Sequence, residues 1–225
     1  QRDIQVDKVC AVFGEKSVLK DISFSIDQGT QTAIIGPTAA GKSQLLNILA
    51  GLTVPQSGCV TYDDRPLADY QRDSFFRQVG LVFQDSVLFN ASVRENIAFS
   101  TLATDDDLRL AVETAELTSF LSSLPQGLDT QVSERGTTLS GGQKQRIMLA
   151  RALALNPRIL FLDDFTARVD VLTEAKILKN LSLNYPELTL VSITQKIAPI
   201  VNYDQIILLM EGELLAQGTH HELLQ

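Results

Sequence analysis

The sequence predicts an α/β fold with a largely parallel sheet, an antiparallel β portion at the N-terminus and an inserted helical region. Three observations lead to this class. Strand-like apolar runs follow one another through the first 35 residues, separated by turn residues rather than by helical patterns. Residues 85–156 become helical in pattern. From residue 157 onward, strand-like and helical runs alternate, which is typical of a parallel sheet with helices packed against it.

Each element is predicted from its periodicity. Short apolar runs predict strands at 4–6, 9–13, 19–26, 32–35, 59–62, 79–83, 159–162, 188–193 and 205–210. The segment 213–216 comes last in the series of alternating strands and helices. Helical spacing predicts helices at 44–50, 105–117, 147–155, 171–183 and 196–201, of which 105–117 is the clearest amphipathic run. We expect one domain over 1–225, in which 1–84 and 157–225 form the core with its β portion and 85–156 form a helical subdomain.

Composition limits the function classes. The chain has 225 residues, of which 44% are hydrophobic, so it can bury a sizeable core. Its net charge of −8 disfavours nucleic acid as a partner, because phosphate backbones are held by lysine and arginine. Cys10 and Cys59 are the only cysteines and imply no disulfide framework. The first residue is Gln1 and no signal-peptide pattern follows, so we expect a domain of a longer polypeptide.

One segment fits the phosphate-loop pattern GxxxxGK[ST]: Gly36-Pro37-Thr38-Ala39-Ala40-Gly41-Lys42-Ser43. A predicted strand precedes it and a predicted helix follows, as this motif requires, whereas an ordinary glycine turn needs neither. Backbone N–H groups of such a loop hold phosphates, so we expect Lys42 to reach the β- and γ-phosphates and the Ser43 hydroxyl to bind Mg²⁺. If residue 39 is left-handed, its Cβ costs about 1–2 kcal/mol.

Two acids, Asp163 and Asp164, end the apolar run 159–162. A buried carboxylate needs a compensating cation, and Mg²⁺ is the natural candidate for Asp163. Taken alone this signal is weak, because apolar strands often end in aspartate.

A third motif, Leu139-Ser140-Gly141-Gly142-Gln143, opens the predicted helix before residue 155. Ser140 can cap a glycine-rich first turn whose bare N–H groups form an anion site, although a simple capped helix would look the same. The acidic strand end lies 20 residues beyond Gln143, and the phosphate loop lies upstream. With all three motifs in this order, the chain resembles an ATP-binding cassette (ABC) domain of the exporter type.

The resemblance covers nearly the whole chain and implies a RecA-like P-loop NTPase core, with ATP and Mg²⁺ as cofactors. It implies nucleotide contacts by Phe13, which would stack on adenine, by the phosphate loop with Gln44, and by Ser140 to Gln143. It assigns the metal to Ser43, Gln84 and Asp163, and the catalytic roles to Asp164, Gln195 and Gln84. Outside the family, Phe13 would fit a half-buried strand and Gln84 a solvated loop. Residues 130–136 resemble the loop by which exporters touch their transmembrane domain, and otherwise would be a polar surface loop.

Two departures from the family pattern concern hydrolysis. Asp164 stands where the family usually has glutamate, and its side chain is shorter by one methylene; a misplacement of about 1 Å can cost on the order of 100-fold in rate. Gln195 stands where the family has a histidine that contacts the γ-phosphate, and an amide cannot carry a proton through a cycle. The only histidines, His220 and His221, lie near the C-terminus and are not placed to substitute.

Phe165 and Arg168 also depart from the family's small residues in the segment that ends at Asp170. One interpretation is drift on a surface segment. The other is a heterodimeric exporter that pairs one active with one impaired site. Because such dimers are head-to-tail, the Ser140 to Gln143 side of this chain would complete the partner's active site.

We therefore expect an exporter-type, weakly hydrolysing ATPase domain at the cytoplasmic face of the cell membrane. Its expected partners are a transmembrane domain, in the same polypeptide or a separate subunit, and a second ABC domain, with a heterodimer favoured by the departures. A non-hydrolysing regulatory or gating module is the alternative. A chromosome-maintenance ATPase shares the motifs, but the sequence has no sustained heptad run and is acidic.

Overall fold

The computed structural model describes residues 2–85, 87–99, 103–132 and 139–225. They form twelve strands: β1 (Arg2–Phe13), β2 (Lys16–Asp27), β3 (Gln31–Ile35), β4 (Ser57–Tyr62), β5 (Arg65–Pro66), β6 (Val79–Val82), β7 (Ala91–Ser92), β8 (Gln131–Val132), β9 (Ile159–Asp163), β10 (Thr189–Ile193), β11 (Gln205–Met210) and β12 (Glu213–Gly218). The same residues form eight α-helices: α1 (Lys42–Leu49), α2 (Arg72–Phe76), α3 (Val93–Ile97), α4 (Asp105–Thr114), α5 (Thr118–Ser123), α6 (Gly141–Leu153), α7 (Val171–Asn184) and α8 (His220–Leu223).

The chain divides into two compact units. The first contains Gln1–Phe76, Phe161–Asp164 and Thr189–Gln225, and the second contains Arg77–Leu160 and Phe165–Leu188. The sequence-based division into 1–84 with 157–225 and 85–156 stays a prediction.

Two sheets build the first unit. Strands β2, β1, β4 and β5 form an antiparallel sheet in that order, and the larger sheet contains β12, β11, β3, β10 and the end of β9. β3 pairs in parallel with β10 and β11, whereas β12 is antiparallel to β11. All five residues of β10 are buried, as expected of a strand covered on both faces. The predicted fold class, a largely parallel sheet with an antiparallel β portion at the N-terminus, is therefore confirmed.

The predicted elements differ from the structure at the first strand and at residues 196–201. The separate strands 4–6 and 9–13 are one strand, β1, whose pairing with β2 shifts register between Val6 and Val9. Lys8 has a φ of 49°, so a bulge within the strand produced the break in the alternating pattern. The predicted helix at 196–201 is wrong: only a 3-10 turn, Ala198–Ile200, forms there, with Pro199 at its start lacking a backbone donor.

The second unit is mainly helical. Helix α6 packs against α3 and α4, and it buries an apolar face that includes Ile147, Leu149 and Leu153. Polar contacts join α7 to the end of α4, where Asn184 Nδ2 donates to Thr114 Oγ1 at 2.8 Å. Within the described ranges, no helix is both long enough and apolar enough to cross a membrane.

Candidate functional site

The segment 36–43 is a tight loop between β3 and α1 whose conformation depends on glycine at two positions. Gly36 and Gly41 have φ values of 149° and 100°. A Cβ on Gly36 would lie 2.1 Å from the Leu209 carbonyl oxygen, and one on Gly41 would lie 2.7 Å from the Val18 carbonyl oxygen. Ala39 is also left-handed, with φ 63°, so the expected strain of about 1–2 kcal/mol applies in this loop.

The Lys42 side chain bridges this loop. Its Nζ donates to the Gly36 carbonyl oxygen at 2.9 Å and to the Pro37 carbonyl oxygen at 2.8 Å, and the residue is only 8% exposed. Burial lowers the pKa of Lys42, while the charges of Asp163 and Asp164 oppose that shift. An ammonium group that is held by two carbonyl oxygens of a loop of backbone amides is suited to binding phosphate.

Ser43 and Asp163 meet at the end of β9. The Ser43 hydroxyl donates to Asp163 Oδ1 at 3.4 Å. Burial raises the pKa of Asp163 and the Asp164 charge adds to the effect, whereas the Ser43 hydrogen bond and Lys42 oppose it. A hydroxyl and a carboxylate are the oxygen ligands that Mg²⁺ prefers. In the described part of the chain, no three or more His, Cys, Asp or Glu side chains cluster as metal ligands.

Asp164 and Gln195 follow neighbouring strands. The Asp164 N–H donates to the Ile193 carbonyl oxygen at 3.0 Å, and Asp164 has a φ of 47°. Gln195 comes two residues after Ile193 and is exposed. The structure thus brings the strand ends that carry the two substituted positions side by side, with Thr194 buried between Ile193 and Gln195.

A cleft of about 700 Å³ opens over the phosphate loop. Besides loop residues and Gln44, its lining includes residues that sequence reasoning missed: Lys16, Val18, Lys20, Glu211 and Gly212. The sequence does show 211–212 as a break between the predicted segments 205–210 and 213–216. It contains no local signal that this turn packs on a loop about 170 residues earlier.

Phe13 ends β1 and is 79% exposed, so it is not the half-buried strand residue of the alternative interpretation. It is outside the lining of the cleft, within the same unit. Gln44 lines the cleft, and its Nε2 donates to Thr53 Oγ1 at 3.3 Å.

Ser140 caps α6 as the sequence predicts. Gln143 N–H donates to Ser140 Oγ at 3.2 Å, and Ser140 N–H donates to Gln143 Oε1 at 2.8 Å, which is a reciprocal capping box. Gly141 and Gly142 form the first turn of the helix.

Arg168 lies against that first turn. A Cβ on Gly141 would lie 3.1 Å from Arg168 Cδ, and one on Gly142 would lie 2.7 Å from the Arg168 carbonyl oxygen. The two glycines therefore let the 3-10 turn Phe165–Arg168 approach the helix terminus. Arg168 Nη2 also lies 3.8 Å from Asp85 Oδ1.

Gln84 and Phe165 belong to this second unit as well. Gln84 is exposed, and its carbonyl oxygen accepts a 2.6 Å hydrogen bond from Gln145 Nε2. Phe165 is 2% exposed, so drift on an exposed surface does not account for this substitution. Asp170 caps α7 by accepting from Thr173 N–H at 2.9 Å.

Of the segment 130–136, residues 133–136 lie outside the described residues. The described part forms β8, which pairs with β7 through Ala91 and Val132. The catalytic, nucleotide and metal roles of the named residues stay predictions.

Known proteins resemble this chain over nearly its full length. A family model described as ABC transporter matches residues 19–167. The ABC transporter ATM1 of Toxoplasma gondii is 42% identical over 211 residues, which cover 93% of this chain and 19% of that protein. The Bacillus subtilis protein named uncharacterized ABC transporter ATP-binding protein YfiB is 43% identical over 211 residues, which cover 93% of this chain and 36% of that protein.

A solved structure of a bacterial Atm1-family ABC exporter with ATP bound matches at a TM-score of 0.93 and 36% identity, covering 100% of this chain and 40% of that one. This match confirms the predicted fold class. The chain spans only 19% to 40% of the length of these proteins.

Proposed function

The chain belongs to the ABC transporter family, as an ATP-binding domain of the exporter type, and we propose that it binds Mg-ATP and hydrolyses it slowly. In this proposal it pairs head-to-tail with a second ABC domain, and the pair drives export by a transmembrane domain at the cytoplasmic face of the membrane. One observation carries the proposal: Lys42, Ser43 and Asp163 converge at one strongly constrained loop.

The side chains of this chain have separate tasks at that site. ATP supplies the phosphoanhydride bond, and Mg²⁺ supplies positive charge next to its phosphates. Ser43 and Asp163 would hold the Mg²⁺, with Gln84 as the third ligand expected from the family. Lys42 would exchange the carbonyl oxygens of Gly36 and Pro37 for phosphate oxygens, which as anions accept stronger hydrogen bonds.

The proposed slow hydrolysis rests on the side chains of Asp164 and Gln195, which differ from the family's glutamate and histidine. The family's glutamate orients or deprotonates the attacking water, and the Asp164 carboxylate stops about one methylene, on the order of 1 Å, short of that reach. The backbone of Asp164 is tied to Ile193 at 3.0 Å, so it cannot advance to compensate without breaking that bond. Gln195 can donate a hydrogen bond to a phosphate oxygen but cannot exchange a proton with Asp164.

Pairing with a second ABC domain is supported by the capped end of α6. Ser140, Gly141 and Gly142 present the first turn of a 13-residue helix, whose dipole favours an anion. The family geometry would place these residues on the γ-phosphate that the partner domain holds. Because their sequence matches the family whereas Asp164 and Gln195 depart from it, a partner with the usual glutamate and histidine is favoured.

Contact with a transmembrane domain is supported by an exposed aromatic surface in the second unit. Phe89 and Phe99 stack with ring centroids 5.0 Å apart although they are 45% and 70% exposed. Ala91, two residues after Phe89, pairs with Val132 of the loop that resembles the exporter contact loop. The two exposed rings offer apolar surface that a transmembrane domain could cover.

The second candidate is a non-hydrolysing regulatory or gating module, in which ATP only joins the two domains. The substitutions at Asp164 and Gln195 favour it over an ordinary ATPase. Turnover at this chain's own site decides between them, measured in the full-length protein assembled with a partner whose phosphate-loop lysine is replaced by alanine. Slow phosphate release would support the proposal, and no release would favour the module. Calorimetry with Mg-ATP tests the binding that both candidates share.

A further inference from the structure

The turn between β11 and β12 is bonded to the phosphate loop. The Gly212 N–H donates to the Ala40 carbonyl oxygen at 3.1 Å, and the Gly212 carbonyl oxygen accepts from the Lys20 N–H at 2.8 Å. Gly212 has a φ of 80°, and a Cβ on it would lie 2.4 Å from the Val18 carbonyl oxygen. Three backbone segments thus meet at Gly212 with no room for a side chain between them.

The Ala40 hydrogen bond fixes the orientation of the next amide group. In a planar trans peptide, the C=O of one residue and the N–H of the next point in opposite directions. Because the Ala40 C=O points at Gly212, the Gly41 N–H must point away from the turn. The bond from Gly212 therefore sets the direction of a backbone donor inside the phosphate-loop motif.

The preceding residue opposes the loop conformation. Ala39 has a φ of 63°, in the left-handed region where a Cβ is unfavourable. Such backbone strain persists only where neighbouring contacts hold it in place. Two hydrogen bonds hold Ala40. Its N–H donates to the Pro37 carbonyl oxygen at 3.2 Å, and its carbonyl oxygen accepts from the Gly212 N–H.

We propose that Gly212 is a positioning residue for nucleotide binding: its N–H holds the Ala40 carbonyl and thereby keeps the phosphate loop in the conformation that Ala39 resists. This inference rests on the proposed function, since it takes the loop to be the phosphate site. A simpler role for Gly212 is to supply a positive φ to the β11–β12 hairpin, together with Glu211 at φ 51°. If Gly212 is a positioning residue, the loss of affinity on changing it depends on whether residue 39 is alanine or glycine. If it only serves the hairpin, the loss is the same with either residue.

The test is a double-mutant cycle in the full-length protein, with Mg-ATP affinity read by calorimetry and folding read by the melting temperature without nucleotide. Gly212→Ala should weaken Mg-ATP binding about 10-fold, the factor that corresponds to the strain at an alanine in this conformation. In an Ala39→Gly background, where the strain is absent, the same change should cost less than about 3-fold. An equal loss of affinity in both backgrounds would overturn the proposal and leave Gly212 as a hairpin residue.

Three further variants serve as controls for this test. Gly127→Ala is a matched control, because Gly127 has a φ of 53° and a Cβ there would have 3.8 Å to its nearest neighbour; it should leave affinity unchanged. If Gly212→Ala does not fold, Gly212→Asn takes its place in both backgrounds, since asparagine tolerates a positive φ but still carries the Cβ that meets Val18.

Lys42→Ala distinguishes a failure of the phosphate site from a failure of the positioning role of Gly212. If it binds Mg-ATP like the parent, the phosphate site itself is wrong; if it loses binding while Gly212→Ala does not, only the positioning role fails.

Discussion

The backbone N–H of Asp164 donates to the carbonyl oxygen of Ile193 at 3.0 Å, which ties the acidic end of β9 to the end of β10. Gln195 follows two residues after Ile193, so both positions that depart from the hydrolytic pattern of the family lie at adjacent strand ends. Residues placed in this way are expected to act on the same water and phosphate, and to change the rate as a unit.

Restoring both positions should therefore accelerate hydrolysis. The double change Asp164→Glu with Gln195→His should raise the ATPase rate of the assembled dimer at least about 10-fold, because a positioned acid or base typically contributes about 10²–10⁴. Each single change should raise the rate by less than the double change does, since the effects of groups that act as a unit are non-additive. A double variant no faster than the parent, measured as steady-state phosphate release, would show that these residues do not limit the rate.

Removing the Lys42 side chain should abolish Mg-ATP binding. The ammonium group lies at the mouth of the loop, and Lys42→Ala removes the only side-chain cation in the segment 36–43. Lys179→Ala, an exposed change on α7, is the matched control and should bind as the parent does. Unchanged affinity of Lys42→Ala in calorimetry would contradict the phosphate-loop assignment.

Phe165 should contribute to stability far more than its neighbour Arg168. Phe165 is 2% exposed, and Phe165→Ala should lower the free energy of unfolding by about 3–5 kcal/mol. Arg168 is exposed and its ion pair with Asp85 is long, at 3.8 Å, so Arg168→Ala should cost less than about 1 kcal/mol. Chemical denaturation of the two variants measures both values, and a Phe165→Ala variant as stable as the parent would contradict the burial.

Local pattern predicted most of the fold and the chemistry-bearing motifs. The strand before Gly36, the helix after it and the cap at Ser140 are all set by residues close in sequence, and these were predicted correctly. The sequence analysis expects backbone strain at Ala39 if that residue is left-handed, and its φ in the structure is positive. The predicted helix at 196–201 failed because Pro199 limits the segment to a short turn.

Contacts between distant segments could not be predicted from the pattern. The packing of Gly212 against Ala40, and of Arg168 against Gly141, joins residues that are 172 and 27 positions apart. Nothing local to either partner signals the other, because backbone groups and small residues carry no complementary sequence signature. The burial of Phe165 was hidden for the same reason, since its surroundings come from the tertiary fold of the second unit.

The central claim is that this domain has an impaired site of its own and completes the active site of a different partner. Its most direct test is the steady-state ATPase rate of two variants of this chain, each assembled with an unmodified partner. Ser140→Arg places a bulky cation at the end of α6 and should remove most of the activity, whereas Lys42→Ala disables only the slow site and should leave most of it. Equal losses of about half from either change, as expected of two independent and equivalent sites, would contradict the claim.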